Sequence, residues 1–163
     1  MLNWEARAPE VAHLLNPAFC TLLLRDAARG YNRESRQTMP FALAFLVLAL
    51  VLHKATRESL PSTTKTKLIV WLQDHQDVKI NLAHRMNRLV PFTKEALLFG
   101  LQCGLLAIDE LGHLLATRKR LRSAAWPENS EPELCRKKAF FVGQWLARVG
   151  DSTTVFAVWG ISP

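Results

Sequence analysis

The chain of 163 residues has only three cysteines, Cys20, Cys103 and Cys135, far apart, odd in number and without CxxC spacing. Neither a disulfide framework nor a thiolate zinc site is expected from them, and a reducing cytoplasm fits this usage best. Long apolar runs are also missing. The one membrane-like segment, FALAFLVLALVL at 41–52, is a dozen residues long, whereas a spanning helix needs about 20, so it reads as a buried helix. The opening MLNWEARAPEVAH carries acids and no apolar core, so no secretory leader is expected. No phosphate loop of the G-x-x-x-x-G-K-[ST] type, no G-x-G-x-x-G and no H-E-x-x-H occurs. His13, His53, His75, His84 and His113 are scattered and read as helix-end or surface residues rather than metal ligands. The carboxylates are similarly dispersed. An enzyme, a metal site and a cofactor therefore find little support.

What is present is apolar mass and positive charge. Hydrophobic residues make up 49% of the chain, enough to build a real core in one domain, or in a compact domain with a helical extension. The formal charge of +7 calls for an acidic partner: nucleic acid, an anionic membrane or an acidic protein face. Five tryptophans beside eight phenylalanines suit either a core or an interface. Trp71 and Trp145, on predicted helices, are expected in the core. Trp4 and Trp126, at loop or end positions, are the better interface candidates.

The pattern predicts a mainly α fold. A short helix over 5–15 stops at Asn16-Pro17, and a second runs from Pro17 to Arg29 with Gly30 as its C′ residue. YNRESRQTM reads as a loop, after which Pro40 opens a buried helix over 40–57 whose last turns carry His53, Lys54 and Arg57. Beyond Leu60-Pro61, Ser62-Thr63-Thr64 offers caps for a helix through KTKLIVWLQDHQ. Another helix is expected over 78–89, ended by Pro91, and Thr93 can cap a further helix, TKEALLFGLQC. Near the end, Ser130 and Glu133 form an S-x-x-E box for a helix over 131–147, and Gly150-Asp151-Ser152 sets off a terminal apolar piece.

The stretch CGLLAIDELGHLLATRKRLR at 103–122 reads either as a continuing helix or as a hairpin with a basic exit. A helix would have to absorb Gly104 and Gly112 at about 1 kcal/mol each. In the hairpin, spanning about 105–117, Gly104 ends the preceding helix, Asp109 opens the turn and Gly112 takes the left-handed position. Three helices followed by a hairpin is the order of a winged helix-turn-helix. The chain then divides into an N-terminal helical part (1–60), a winged-helix-like part (61–122) and a C-terminal helical part (123–163) packed as one unit. The helix before the hairpin, with Leu97, Leu98 and Phe99, is made for burial against protein rather than for reading bases. The basic exit, Arg118, Lys119, Arg120 and Arg122, is a candidate for phosphate contacts, against a merely solvated charged face.

Several phrases, RAPEVAHLLNPAFCTLLL at 7–24, MPFALAFLVLALVLHKATRESLP at 39–61, LVPFTKEALLFG at 89–100 and the C-terminal FFVGQWLARVGDSTTVFAVWGISP, together cover most of the chain. They resemble the middle component of three-component ABC systems, the small partner encoded with an SMC-like ABC ATPase and a variable effector in bacterial anti-phage defence, including Lamassu-type systems. Leu48-Ala49-Leu50, where that family has a proline, and Gly143-Gln144-Trp145, where a lysine often precedes the tryptophan, depart from its pattern. The resemblance implies a non-catalytic cytoplasmic adaptor with two protein partners, a DNA-sensing ATPase and an effector such as a nuclease; within such a complex the basic exit is the candidate for non-specific DNA backbone contact. The interface candidates it suggests lie at the helix junctions and the winged part: Trp4, Asn16, Pro17, Phe19, Arg57, Pro61, Leu97, Phe99 and Trp126. A DNA-binding winged-helix transcriptional regulator is the alternative. An unrecognised Cys-His enzyme is a third reading.

Overall fold

The computed structural model describes residues 15–121 and 126–161, so the expected helix over 5–15 falls almost wholly outside the described residues. Seven helices and three short strands follow among them: α1 Pro17–Ser35, β1 Met39–Pro40, α2 Leu43–Val51, α3 Lys54–Ser59, α4 Leu68–Asp74, α5 Gln76–Gln102, β2 Leu106–Ile108, β3 His113–Ala116, α6 Glu131–Ala147 and α7 Ser152–Trp159. The fold is mainly helical with one small antiparallel sheet of order β1-β3-β2.

The centre of the molecule is α2. Eight of its nine residues are buried, as suits a helix that is apolar on every face and must be covered all round. The expected single helix over 40–57 is in fact three pieces. Met39 and Pro40 pair with Leu114 and His113 as β1, and the helical chain breaks at Leu52-His53. There His53 adopts an extended backbone and its Nδ1 accepts from the Thr56 amide, capping α3. His53 therefore starts a helix instead of closing one.

Helix α1 is capped by Asn16, whose Oδ1 accepts from the Ala18 and Phe19 amides. It does not end at Gly30. It continues to Ser35, because Tyr31 is an anchor buried to 3% exposure, and Arg36 takes the left-handed cap with its amide on Asn32 O. Gly30 has a different role. A Cβ there would lie 2.0 Å from Phe140 O, and one on Gly143 would lie 2.0 Å from Ala27 O. The two glycines let the α1 and α6 backbones touch, forming the most extensive helix pair of the fold.

The second large correction is α5. The two helices expected on either side of Pro91 are one helix of 27 residues with Pro91 inside it. Proline removes the N–H that would bond the Asn87 carbonyl, a defect that breaks helices when buried. Here both Pro91 and Asn87 are exposed, on the side of the helix where a freed carbonyl is open to solvent. The inward face continues past the proline, with Leu82, Met86, the half-buried Leu89, Thr93, Ala96, Leu97 and Gly100 at three- and four-residue spacing. Thr93 caps nothing: it is buried and donates to Leu89 O. Consequently two helices, α4 and α5, precede the hairpin instead of three. Helix α4 starts at Leu68 with no side-chain cap, and Thr63 accepts instead from the Lys65 amide in the preceding turn.

The hairpin is present. Leu106, Ala107 and Ile108 pair with Ala116, Leu115 and Leu114. Gly112 has φ 75°, its amide bonds Asp109 O, and Asp109 Oδ1 accepts from the Leu111 and His113 amides. That is a type I turn closed by a left-handed glycine. Asp109 also accepts from the Thr38 hydroxyl, which ties the turn to the residue before β1. Helix α6 starts at Glu131 as its box implies, but Ser130 makes no side-chain cap bond and Glu133 accepts from Asn129 rather than from the cap residue. Asp151 caps α7 through Thr154. Trp71, Trp145 and Trp159 are all buried and meet edge to face around Trp71, at 5.4 Å and 6.2 Å.

Candidate functional site

Among the described residues no group of three or more His, Cys, Asp and Glu is placed to hold a metal ion. Burial pushes the Cys20 thiol up to about 12, with Glu95 and Cys135 adding to the shift, and burial also raises Cys135. Neither sulfur is prepared as a thiolate. Cys103 is half-buried at the C-terminal end of α5.

Two surface features stand out. The first is a groove between α4 and α7, made of two adjoining hollows of about 410 and 580 Å³ that share Ile69, Thr154 and Val158. Its floor is apolar, with Leu68, Leu72, Trp145 and Val149, and Ile69 and Val70 stand 57% and 48% exposed beside it. The cations lining it are Lys65, Lys67, Lys79 and Arg148, and no carboxylate does. Arg148 is also paired with Glu34 at 2.9 Å. The local sequence explains the exposed pair: Leu68-Ile69-Val70-Trp71-Leu72 is five apolar residues in a row on a helix, and a helix turns some of them outward once Leu68, Trp71 and Leu72 face the core.

The second is a cleft of about 510 Å³ between α1 and the chain leaving β3, lined by Arg25, Arg29, Ala116, Thr117, Arg118, Lys119, Arg120 and Leu121. Arg25 builds it. From α1 its Nη2 donates to Thr117 O at 3.0 Å and Lys119 O at 2.7 Å, clamping the basic exit onto the body. Burial, and then the charge of Arg29, push its pKa down, while its Nε is buried without a hydrogen bond among the described residues. Lys119 Nζ turns the other way and donates to Cys103 O at 2.6 Å, closing the end of α5. Arg118 and Arg120 remain exposed.

The residues singled out in the sequence are dispersed rather than gathered. Asn16 and Pro17 form the start of α1. Phe19 packs edge to face on Trp126 at 6.0 Å, and the Arg136 guanidinium lies 5.6 Å over the same indole, so Trp126 is held by its own chain. Arg57 is buried, donating to Val51 O and to Glu131. Leu97 is 3% exposed, inside the core. Pro61 is half-buried after α3. Phe99, 36% exposed, and its neighbour Leu98 are on the surface. Trp4 and Arg122 lie outside the described residues. Sequence reading missed the groove and the pair Arg25 and Arg29. The available signals were the over-long apolar run of α4 and two arginines one helical turn apart with a single acid, Asp26, between them. That acid is shared, binding Arg136 at 2.6 Å and Arg29 at 3.4 Å.

No helix among the described residues is long and apolar enough to cross a membrane. Searches of the curated proteins and of the solved structures found no match. The family model of the ABC-three component (ABC-3C) system Middle Component 3 matches residues 4–163. A match of that extent, over nearly the whole chain, places it in the ABC-three component system Middle Component 3 family.

Proposed function

We propose that the chain is a non-catalytic cytoplasmic adaptor that couples an SMC-like ABC ATPase to an effector such as a nuclease in bacterial anti-phage or anti-plasmid defence of the Lamassu type. The observation that carries this reading is membership of a middle-component family across residues 4–163, since a middle component works beside partner subunits. The groove between α4 and α7 supports it. An apolar floor ringed by cations, with no carboxylate in its lining, fits an apolar segment of a partner subunit flanked by Asp and Glu. Differential contact with the partners' two assembly states would hold the effector silent until the ATPase engages foreign DNA.

Co-expression with the neighbouring ATPase and effector genes, followed by tandem affinity purification, tests the reading. A stable three-subunit complex is expected, lost from the triple variant Ile69→Asp, Lys65→Glu, Lys67→Glu. Failure of the wild-type chain to bind either subunit refutes the adaptor. A complex indifferent to the triple variant refutes the groove. The alternative, a winged-helix transcriptional regulator, is favoured by the exposed Arg118 and Arg120 behind the hairpin. It requires tight binding to one operator sequence in a mobility shift, where the adaptor shows no sequence preference.

A further inference from the structure

We infer that the cleft between α1 and the exit from β3 is a binding site for the phosphodiester backbone of nucleic acid, with Arg29, Arg118 and Arg120 as its contacting groups and Arg25 as the residue that positions them. This goes beyond the adaptor reading and rests on a separate surface, so either can fail without the other.

Five of the eight residues lining the cleft are cationic and none is acidic. A merely solvated face mixes signs, as most helical surfaces do. Here like charges converge on one hollow, and the carboxylate beside them, Asp26, is buried to 5% exposure and shared between Arg136 at 2.6 Å and Arg29 at 3.4 Å. Concentrating cations that one shared carboxylate only partly offsets is unfavourable in the empty protein and becomes favourable when an anion arrives.

The cleft is also ordered in a way that a flexible basic tail is not. Arg25 bonds two carbonyls of the exit, Thr117 O and Lys119 O, and the Lys119 amide donates to the Thr117 hydroxyl, so this segment is fixed against α1. Lys119 Nζ goes to Cys103 O, while Arg118 and Arg120 are exposed and line the cleft. Arg29 follows Arg25 by one turn of α1 and is on the surface. The Arg25 clamp therefore presents three guanidiniums from two elements, and it holds them in place before any ligand binds.

Fluorescence anisotropy of the full chain with a labelled duplex of random sequence tests this. Three phosphate contacts predict a slope of log K against log salt of about −2.7, or about 40-fold weaker binding between 50 and 200 mM salt. The double variant Arg29→Glu, Arg120→Glu should weaken binding at least tenfold and bring the slope near −1. Lys65→Glu, Lys67→Glu makes the same change of net charge in the groove and should leave the slope unaltered. Arg25→Met should weaken binding although its guanidinium serves as a clamp, and trypsin should then cut sooner at Arg118 to Arg120. Equal weakening in the cleft and groove pairs would reduce the effect to net charge and overturn the site. Absence of binding by the wild-type chain at 50 mM salt also overturns it. Tripolyphosphate binding more tightly than the duplex at matched ionic strength would replace nucleic acid with a small polyanion as the ligand.

Discussion

Replacing Gly30 by alanine should destabilise the protein, although alanine is the better helix former by about 1 kcal/mol. The reason is the α6 backbone on the other side. The new Cβ would stand 2.0 Å from Phe140 O and 3.2 Å from Gln144 N, and main-chain atoms, unlike side chains, have no second rotamer to move into. Restoring an ordinary contact requires α1 and α6 to part by about 1.4 Å, a gap that forfeits about half or more of the dispersion energy at each affected contact. Overpacking of this kind costs about 1–3 kcal/mol, and the rigid carbonyl argues for the upper end. After the propensity gain the net loss is about 2 kcal/mol, or a drop in Tm of roughly 4–8 °C for a chain of this size. Urea denaturation followed by circular dichroism reads it directly. Gly100→Ala is the internal comparison, since its Cβ meets side-chain atoms, Leu106 Cδ1 at 2.6 Å and Thr21 Cγ2 at 2.8 Å, and should lose less. A Gly30→Ala protein as stable as the wild type, or more so, would falsify the close-contact explanation of the α1–α6 pair.

Thiol labelling of the native protein at pH 8 should modify Cys103 and spare Cys20 and Cys135, both buried with raised pKa values; all three should react in denaturant, and fast native labelling of Cys20 or Cys135 would favour the enzymatic reading over the adaptor. The Asp109 carboxyl is held below its usual range by the Thr38 hydroxyl and then by the His113 and Leu111 amides. Its contribution is thus present above the unfolded carboxyl value of about 4 and is lost as pH falls through the lower folded value. Asp109→Asn should accordingly lower the urea midpoint at pH 7, with the gap to wild type closing toward pH 2.5; a gap independent of pH would exclude the carboxylate as the cause.

Local chemistry was legible in the sequence wherever one residue settles the matter. Asp109 and Gly112 announced the turn of the hairpin, and the helix start at Glu131 could be read from the residues around it. The misreadings share a cause: a residue with a strong local preference was placed where its surroundings cancel that preference. Pro91 did not end α5 because it faces water on a helix whose opposite face is continuously apolar. Gly30 did not end α1 because Tyr31 is needed in the core beyond it. The partner face of either helix cannot be read from the helix alone. For the same reason the basic exit at 118–120 was visible in the sequence, but Arg25 and Arg29, about ninety residues upstream, were not: only the fold brings them to it.

Helix α5 reaches from the far edge of the groove to the neighbourhood of the cleft. Lys79, in its second turn, lines the groove, and Cys103, just past its last residue, receives Lys119 beside the cleft. At 1.5 Å per residue those positions are about 36 Å apart, on a helix that Pro91 does not interrupt. At their near edges the two surfaces are much closer: Arg148, which lines the groove, is paired with Glu34, and Glu34 follows Arg29 of the cleft on α1 by about 7.5 Å of helix. A protein partner in the groove and a nucleic acid in the cleft would therefore be neighbours across the close-packed α1–α6 pair, as well as being spanned by α5.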